Sequence, residues 1–305
     1  MMVLALQQSV FMSGFPGIPS GGVGLPMLAD TFSIGALTVE RYTDPRFTDP
    51  DSYKDGSGDI RNYRFLLNGA HADRADLEQT WFLRDRQPPS PFDLMQHYHG
   101  FKVIHFGGNA DVVDNVVRFT NHTGEQHQMQ VAYPRTEKIR RLVEQDLTMV
   151  RAMPFWVVKR IVTIIWPTAE ENFLTERNAT GGCTEEDVST PAQRIFSLHI
   201  DHGNGDNRAR NTLFHELGHV VEAGENAIRD QVILAMALDG ELVESHLAYA
   251  HWREQFAESF KWYLQVGADR FGRFYPHRAD LISWLMGHGE QPFLLFVDDK
   301  DARLL

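Results

Sequence analysis

Residues 211–221 read Asn-Thr-Leu-Phe-His-Glu-Leu-Gly-His-Val-Val, and this stretch constrains the fold more than any other. An HExxH spacing has a chemical use only on a helix, where His215 and His219 lie one turn apart and project from the same face. Two imidazoles so placed take two corners of a tetrahedral zinc site. Glu216, beside the first of them, is placed to act as a base on water and not as a ligand. Leu213, Leu217 and Val220 give the helix an apolar back. Upstream, Arg194–Asp201 alternates with Phe196, Leu198 and Ile200 on one face, the pattern of a half-buried strand. Residues 201–207 form a loop with N-cap candidates at Asp206 and Asn207. The expected local order is therefore strand, loop, helix.

Two histidines do not complete a metal site, so the chain must supply a third ligand. An extended motif of the metzincin kind needs Gly at 222 and His or Asp at 225; the residues are Glu222 and Glu225, which excludes it. The other common solution is a glutamate on a second helix. One candidate pair is Glu241 and Glu244, within Asp239–Ser245. The other is Glu254 and Glu258, within Trp252–Phe260. The second pair is preferred, because its spacing of four puts both acids on one helix face. Phe256, Phe260, Tyr263 and Leu264 back that face, and Ala257 permits close approach of the HExxH helix. Glu254 is then the third ligand, with Glu258 orienting a ligand histidine from behind. Glu241 is the alternative ligand. The expected cofactor is one zinc ion per chain.

HELGH followed by EQFAESF resembles the zinc peptidases of the anthrax lethal factor and Pro-Pro endopeptidase group, whose downstream helix reads approximately E-F-F-A-E-x-F. The resemblance covers roughly residues 136–290, and its specific part is the two helices alone. It implies an α+β, zincin-like domain of the glutamate-ligand (gluzincin) kind, with the HExxH helix packed against the glutamate helix. It further implies a zinc-dependent endopeptidase acting on a protein or peptide substrate. Glu254 would be the third ligand and Glu258 a supporting acid. Members also place a tyrosine seven residues before the ligand glutamate to steady the oxyanion; here that position is Leu247. Tyr249 is the nearest tyrosine and the first choice for the role, with His246 and His251 as alternatives. The strand over 194–201 would offer its edge to an extended substrate. Because the family includes secreted toxins, a secreted or delivered effector is the expectation by analogy. The competing expectation is a catalytically silent zincin-like binding or structural module.

The remaining sequence narrows the setting. At 305 residues the chain holds one large domain or two of ordinary size. A net charge of −12 argues against a nucleic-acid partner. The basic run from Arg135 to Arg160 is interrupted by Glu137, Glu144 and Asp146, and reads as a solvated helix face. Cys183 is the only cysteine, so no intrachain disulfide forms. Residues 1–29 carry no charged side chain, yet glycines and prolines break any spanning helix there, and no basic segment marks a classical signal peptide. Residues 1–30 read as an apolar arm packed on the body, with membrane contact the alternative. Residues 31–135 read as an irregular mixed region of unknown role. It contains a linker at Pro88-Pro89-Ser90-Pro91 and a strand at Phe101–Phe106 ending in Gly107-Gly108. His97, His99 and His105 fall here and read as surface or hydrogen-bonded histidines, not a second metal site. The peptidase domain spans 136–305. It opens with a helix over 136–153, carrying Ile139, Leu142, Val143, Leu147 and Val150 on one side, and continues with a strand over 162–166.

Overall fold

The computed structural model describes residues 26–47, 54–81, 99–108, 112–121, 124–166, 182–186, 196–200, 206–224, 228–240 and 248–286. Most of the apolar arm, the 88–91 linker and His97 lie outside these residues. The chain is α+β, with two sheets and a cluster of helices.

The N-terminal region is not irregular. Four antiparallel strands, β1 (Leu28–Ile34), β2 (Leu37–Tyr42), β3 (Tyr63–Leu67) and β4 (Ala70–His71), form a sheet in that order. Ile34, Leu37, Val39 and Phe65 are buried on one face, while Thr38, Glu40 and Arg64 alternate with them on the other; Asp30 and Arg41, paired with each other, lie half-buried at the end of the apolar face. Charged residues at the inward positions 30 and 41 interrupt the apolar face and hide the period of two. Helix α1 (Arg74–Thr80) follows, its N-terminus closed by a capping box between Asp73 and Asp76.

The second sheet has six strands in the order β5 (His99–Gly108), β6 (Val112–Asn121), β7 (Gln126–Pro134), β8 (Ile161–Ile165), β10 (Phe196–Ile200), β9 (Gly182–Glu186). β7 and β8, on either side of residue 135, are parallel hydrogen-bonded neighbours in this one sheet. Gly107 and Gly108 lie inside β5, paired with Asp114 and Val113, so the strand runs past the expected turn. Between β7 and β8 come α2 (Glu137–Ala152) and the short α3 (Phe155–Val158). Val143, Leu147 and Val150 of α2 are buried, and Arg140 and Arg141 pair with Glu137 and Glu144 on its exposed face. Asp146 departs from the solvated-face reading. It is buried and accepts a 2.9 Å hydrogen bond from Trp166 Nε1, which satisfies both polar groups inside the core.

β10 carries Phe196, Leu198 and Ile200 into the core as expected, but its edges are both occupied. It pairs parallel with β8 and antiparallel with β9. The end strand of the sheet on this side is therefore β9, and both strands lie against the next helix, α4.

α4 (Asp206–Gly224) contains the HExxH residues, with Asp206 and Asn207 in its first turn. It packs on α6 (Trp252–Val266), while α5 (Ile228–Asp239), α7 (Ala268–Phe274) and α8 (Pro276–Met286) complete the helical layer. Gly218 sets the spacing of the two site helices. A Cβ there would stand 2.8 Å from Ala257 Cα and 3.2 Å from Phe260 Cβ. Helix propensity alone would favour alanine by about 1 kcal/mol, but the overlap is with backbone that cannot rotate away. Gly218→Ala should therefore destabilise by about 1–3 kcal/mol, read as a lower denaturant midpoint.

α8 is fastened to α5 and α1 through His277. Its Nδ1 meets Asp239 Oδ1 at 2.6 Å and its Nε2 meets Glu78 Oε2 at 2.9 Å. Burial alone would lower this histidine's pKa, but the two carboxylates outweigh burial and raise it. A folded value above the unfolded one contributes stability that is complete below about pH 6.5 and is lost as pH rises through the folded value. Wild type should thus lose stability from neutral toward alkaline pH more steeply than His277→Asn, in urea melts across that range. Among the described residues no helix is long and apolar enough to cross a membrane.

Candidate metal centre

The face of α4 opposite Leu213, Leu217 and Val220 presents His215 and His219, and α6 brings Glu254 to meet them. The two Nε2 atoms are 3.2 Å apart, with the rings edge to face. His215 Nε2 lies 3.1 Å from Glu254 Oε2, and His219 Nε2 lies 3.5 Å from Glu254 Oε1. Tetrahedral zinc with ligand bonds of 2.0–2.1 Å requires neighbouring ligand atoms about 3.3–3.4 Å apart. The three contacts bracket that separation, and the donor set is the borderline nitrogen and oxygen mixture that suits this ion. His215, His219 and Glu254 can hold a metal ion. Among the described residues no other His, Cys, Asp or Glu group does so.

The first histidine is held from behind. Its Nδ1–H donates to Glu258 Oε1 at 2.9 Å, leaving Nε2 as the atom that faces Glu254. Glu258 is in turn gripped by Lys261, one turn further along α6. Carboxylate behind imidazole fixes the ring's orientation and strengthens it as a donor. Glu258→Gln should lower metal affinity by about 10–100-fold without removing the site, as measured by competition with a chromophoric chelator.

Electrostatically the cluster is built for a cation. Burial lowers the pKa of His215, but hydrogen bonds to Glu254 and Glu258 overcome it and raise the value to about 10. Burial, with the neighbouring His215, pushes His219 down to about 4. Burial would raise Glu254, but the imidazoles beside it bring it to about 2. The metal-free cluster thus keeps one proton between two imidazoles and an ionised carboxylate. A divalent ion at the same point replaces that proton.

Glu216 is 5% exposed and close enough to His215 to raise its pKa. Of the oxyanion candidates, Tyr249 is half-buried in the turn before α6, its ring centroid 6.0 Å from the Arg46 guanidinium. His251 is the N-cap of α6, and its Nδ1 accepts from Arg253 N–H at 3.2 Å. Neutral His251 therefore carries its proton on Nε2. His251 also lies within electrostatic reach of Glu254 and His219. Glu241, Glu244 and His246 lie outside the described residues. Sequence reasoning missed Lys261, and also the buried Glu222, which pairs with Arg253 Nε at 3.5 Å across the two helices. The spacing of three between Glu258 and Lys261 was the available signal for the first; the Glu222–Arg253 pair joins separate helices and left none.

Comparison with protein-family models, with curated proteins and with solved structures gave no match.

Proposed function

We propose that the chain is a zinc-dependent endopeptidase with the gluzincin arrangement of a zincin-like domain, and that its substrate is a protein or peptide. One observation carries this reading: His215, His219 and Glu254 converge from two helices, with Glu216 beside the first ligand and Glu258 behind it. Bound zinc would supply Lewis acidity, making water a better nucleophile and the scissile carbonyl a better electrophile near neutral pH. The protein's own groups do the rest. Glu258 and Lys261 hold the His215 ring in one orientation. Glu216 takes a proton from the attacking water and passes it to the leaving amine. A donor on the far side steadies the oxyanion. Tyr249 is one candidate, His251, with its Nε2–H and its proximity to the cluster, is a second, and His246 is the third. Removal of such a donor costs about 10²–10³-fold in turnover. Because β10 is paired on both edges, the strand that offers main-chain hydrogen bonds to an extended substrate is β9. A secreted or delivered effector role rests on the sequence resemblance alone.

The test joins metal content to cleavage. Purified protein should carry one zinc per chain, lose it together with activity on chelation, and regain both on zinc addition. A cleavage profile over a diverse peptide library, run beside Glu216→Gln, should give parental cuts that the variant lacks. Folded, metal-free protein that cuts nothing after zinc addition would instead identify a silent binding or structural module.

A further inference from the structure

The N-terminal sheet reaches the metal centre through the loop between β2 and β3. Residues 54–62 close over the turn at 248–251, which leads directly into the glutamate helix. Gly56 N–H donates to Ala250 O at 2.8 Å, and Gln255 Nε2 donates to Gly58 O at 3.1 Å. The first residue of α6, Trp252, donates its N–H to Ser57 Oγ at 3.2 Å, while the second, Arg253, donates to His251 Nδ1. Two N–H groups that a helix leaves without intrahelical partners are thus taken by two acceptors, one on the helix's own N-cap and one from a loop 195 positions away. Glu254 is the next residue.

The fit leaves no slack. A Cβ on Gly58 would stand 1.8 Å from Ala248 O and 2.8 Å from His251 O, a contact between two backbones. Ser57, Asp59 and Gln255 are all at most 2% exposed. The loop is stiffened from its own side as well. Tyr63 OH donates to Ser57 O at 2.9 Å, and Asp59 receives Arg46 and Arg61. Behind α6, buried Arg278 donates to Gln255 Oε1 at 3.0 Å, to Ser259 Oγ at 2.8 Å and to Gly240 O at 2.6 Å. Gln255 is therefore held from both sides, one residue after the ligand.

We infer that the 54–62 loop is a working part of the metal centre, in which Ser57 and Gly58 are positioning residues: they supply half of the N-cap of the glutamate helix and fix the turn that carries His251, and so set where Glu254 and His251 stand. This rests on the reading of His215, His219 and Glu254 as a metal site. It gives the N-terminal sheet a role in placing the helix that carries Glu254.

The test uses the full chain in four forms: wild type, Ser57→Ala, Gly58→Ala, and Asp76→Ala as a control that breaks the α1 capping box away from the centre. Zinc affinity is measured by chelator competition, and ligand geometry by the visible spectrum of the cobalt-substituted protein. Hydrogen exchange is followed at the amides of Trp252 and Arg253. Gly58→Ala should weaken zinc by about tenfold or more, the range for losing an outer support of a ligand, and should shift the cobalt spectrum. Ser57→Ala should act in the same direction more mildly and speed exchange at Trp252. Asp76→Ala should change neither affinity, spectrum nor these two amides. Clamp variants that keep parental affinity, spectrum and exchange would overturn the inference; should Gly58→Ala not fold, Ser57→Ala decides alone. If wild type binds no zinc, the peptidase reading falls, and exchange at Trp252 and Arg253 still decides the clamp.

Discussion

Replacing Glu216 by Gln is expected to abolish hydrolysis while leaving the metal in place. The carboxylate is buried beside His215 but is not one of the three converging donors. The amide keeps its volume and lacks the basicity. Loss of a positioned general base costs about 10²–10⁴-fold in turnover. Zinc per chain, measured by atomic absorption, should stay at parental level, and turnover on a library-derived peptide should drop by at least the lower of those factors. A variant that cuts at the parental rate would remove Glu216 from the mechanism. One that loses its zinc would show the residue to be holding the cluster, not acting on substrate.

Glu254→Ala should produce the other large effect, on binding. The variant leaves the two imidazole Nε2 atoms 3.2 Å apart without the Glu254 carboxylate that meets both of them, while Glu258 still holds His215 Nδ1. It removes a direct donor, so zinc affinity should fall by more than the roughly 100-fold upper range for losing an outer-shell partner. Glu241→Ala should keep stoichiometric zinc. The reverse pattern, with Glu241→Ala losing the metal and Glu254→Ala retaining it, would move the third ligand to the segment before the 248–251 turn. Both variants can be compared by competition with the same chelator, so the answer does not wait for a substrate.

The two site helices were legible in the sequence because their signals are local. The spacing of His215 and His219, the apolar positions Leu213, Leu217 and Val220, and the aromatic backing of Glu254 and Glu258 all repeat at the period of one helix. Preference for Glu254 over Glu241 came from the same periodicity. Ala257 was legible as a place of close approach; that Gly218 lies against it required the crossing of the two helices to be seen. What stayed hidden was pairing between distant segments. β10 has the alternation of a half-buried strand, which speaks of its faces and not its edges, and nothing in residues 194–201 says that residues 182–186 lie alongside it. Asp146 sits in a run of charges that looks solvated, and only the indole of Trp166, 20 residues later, explains its burial. The first sheet was obscured by Asp30 and Arg41, charged residues that fall on its apolar face. In the Asp55-Gly56-Ser57-Gly58-Asp59 loop, a composition that signals a turn gave no hint of a contact with the helix that carries Glu254.

The cap shared by Ser57 and His251 also bears on the order in which the protein can be made. Ser57 and Trp252 are separated by 195 positions and Gly58 and Gln255 by 197, so the clamp closes a loop of most of the chain. Contacts of such separation form late, because the closure entropy must be met before they contribute. During synthesis the HExxH helix leaves the ribosome before the glutamate helix does. Until residue 254 emerges, the two histidines face no carboxylate, and the 54–62 loop has nothing to grip. On the proposed reading, capture of a metal would therefore belong to the end of folding, and a chain released before residue 254 would carry the whole HExxH sequence without its third donor.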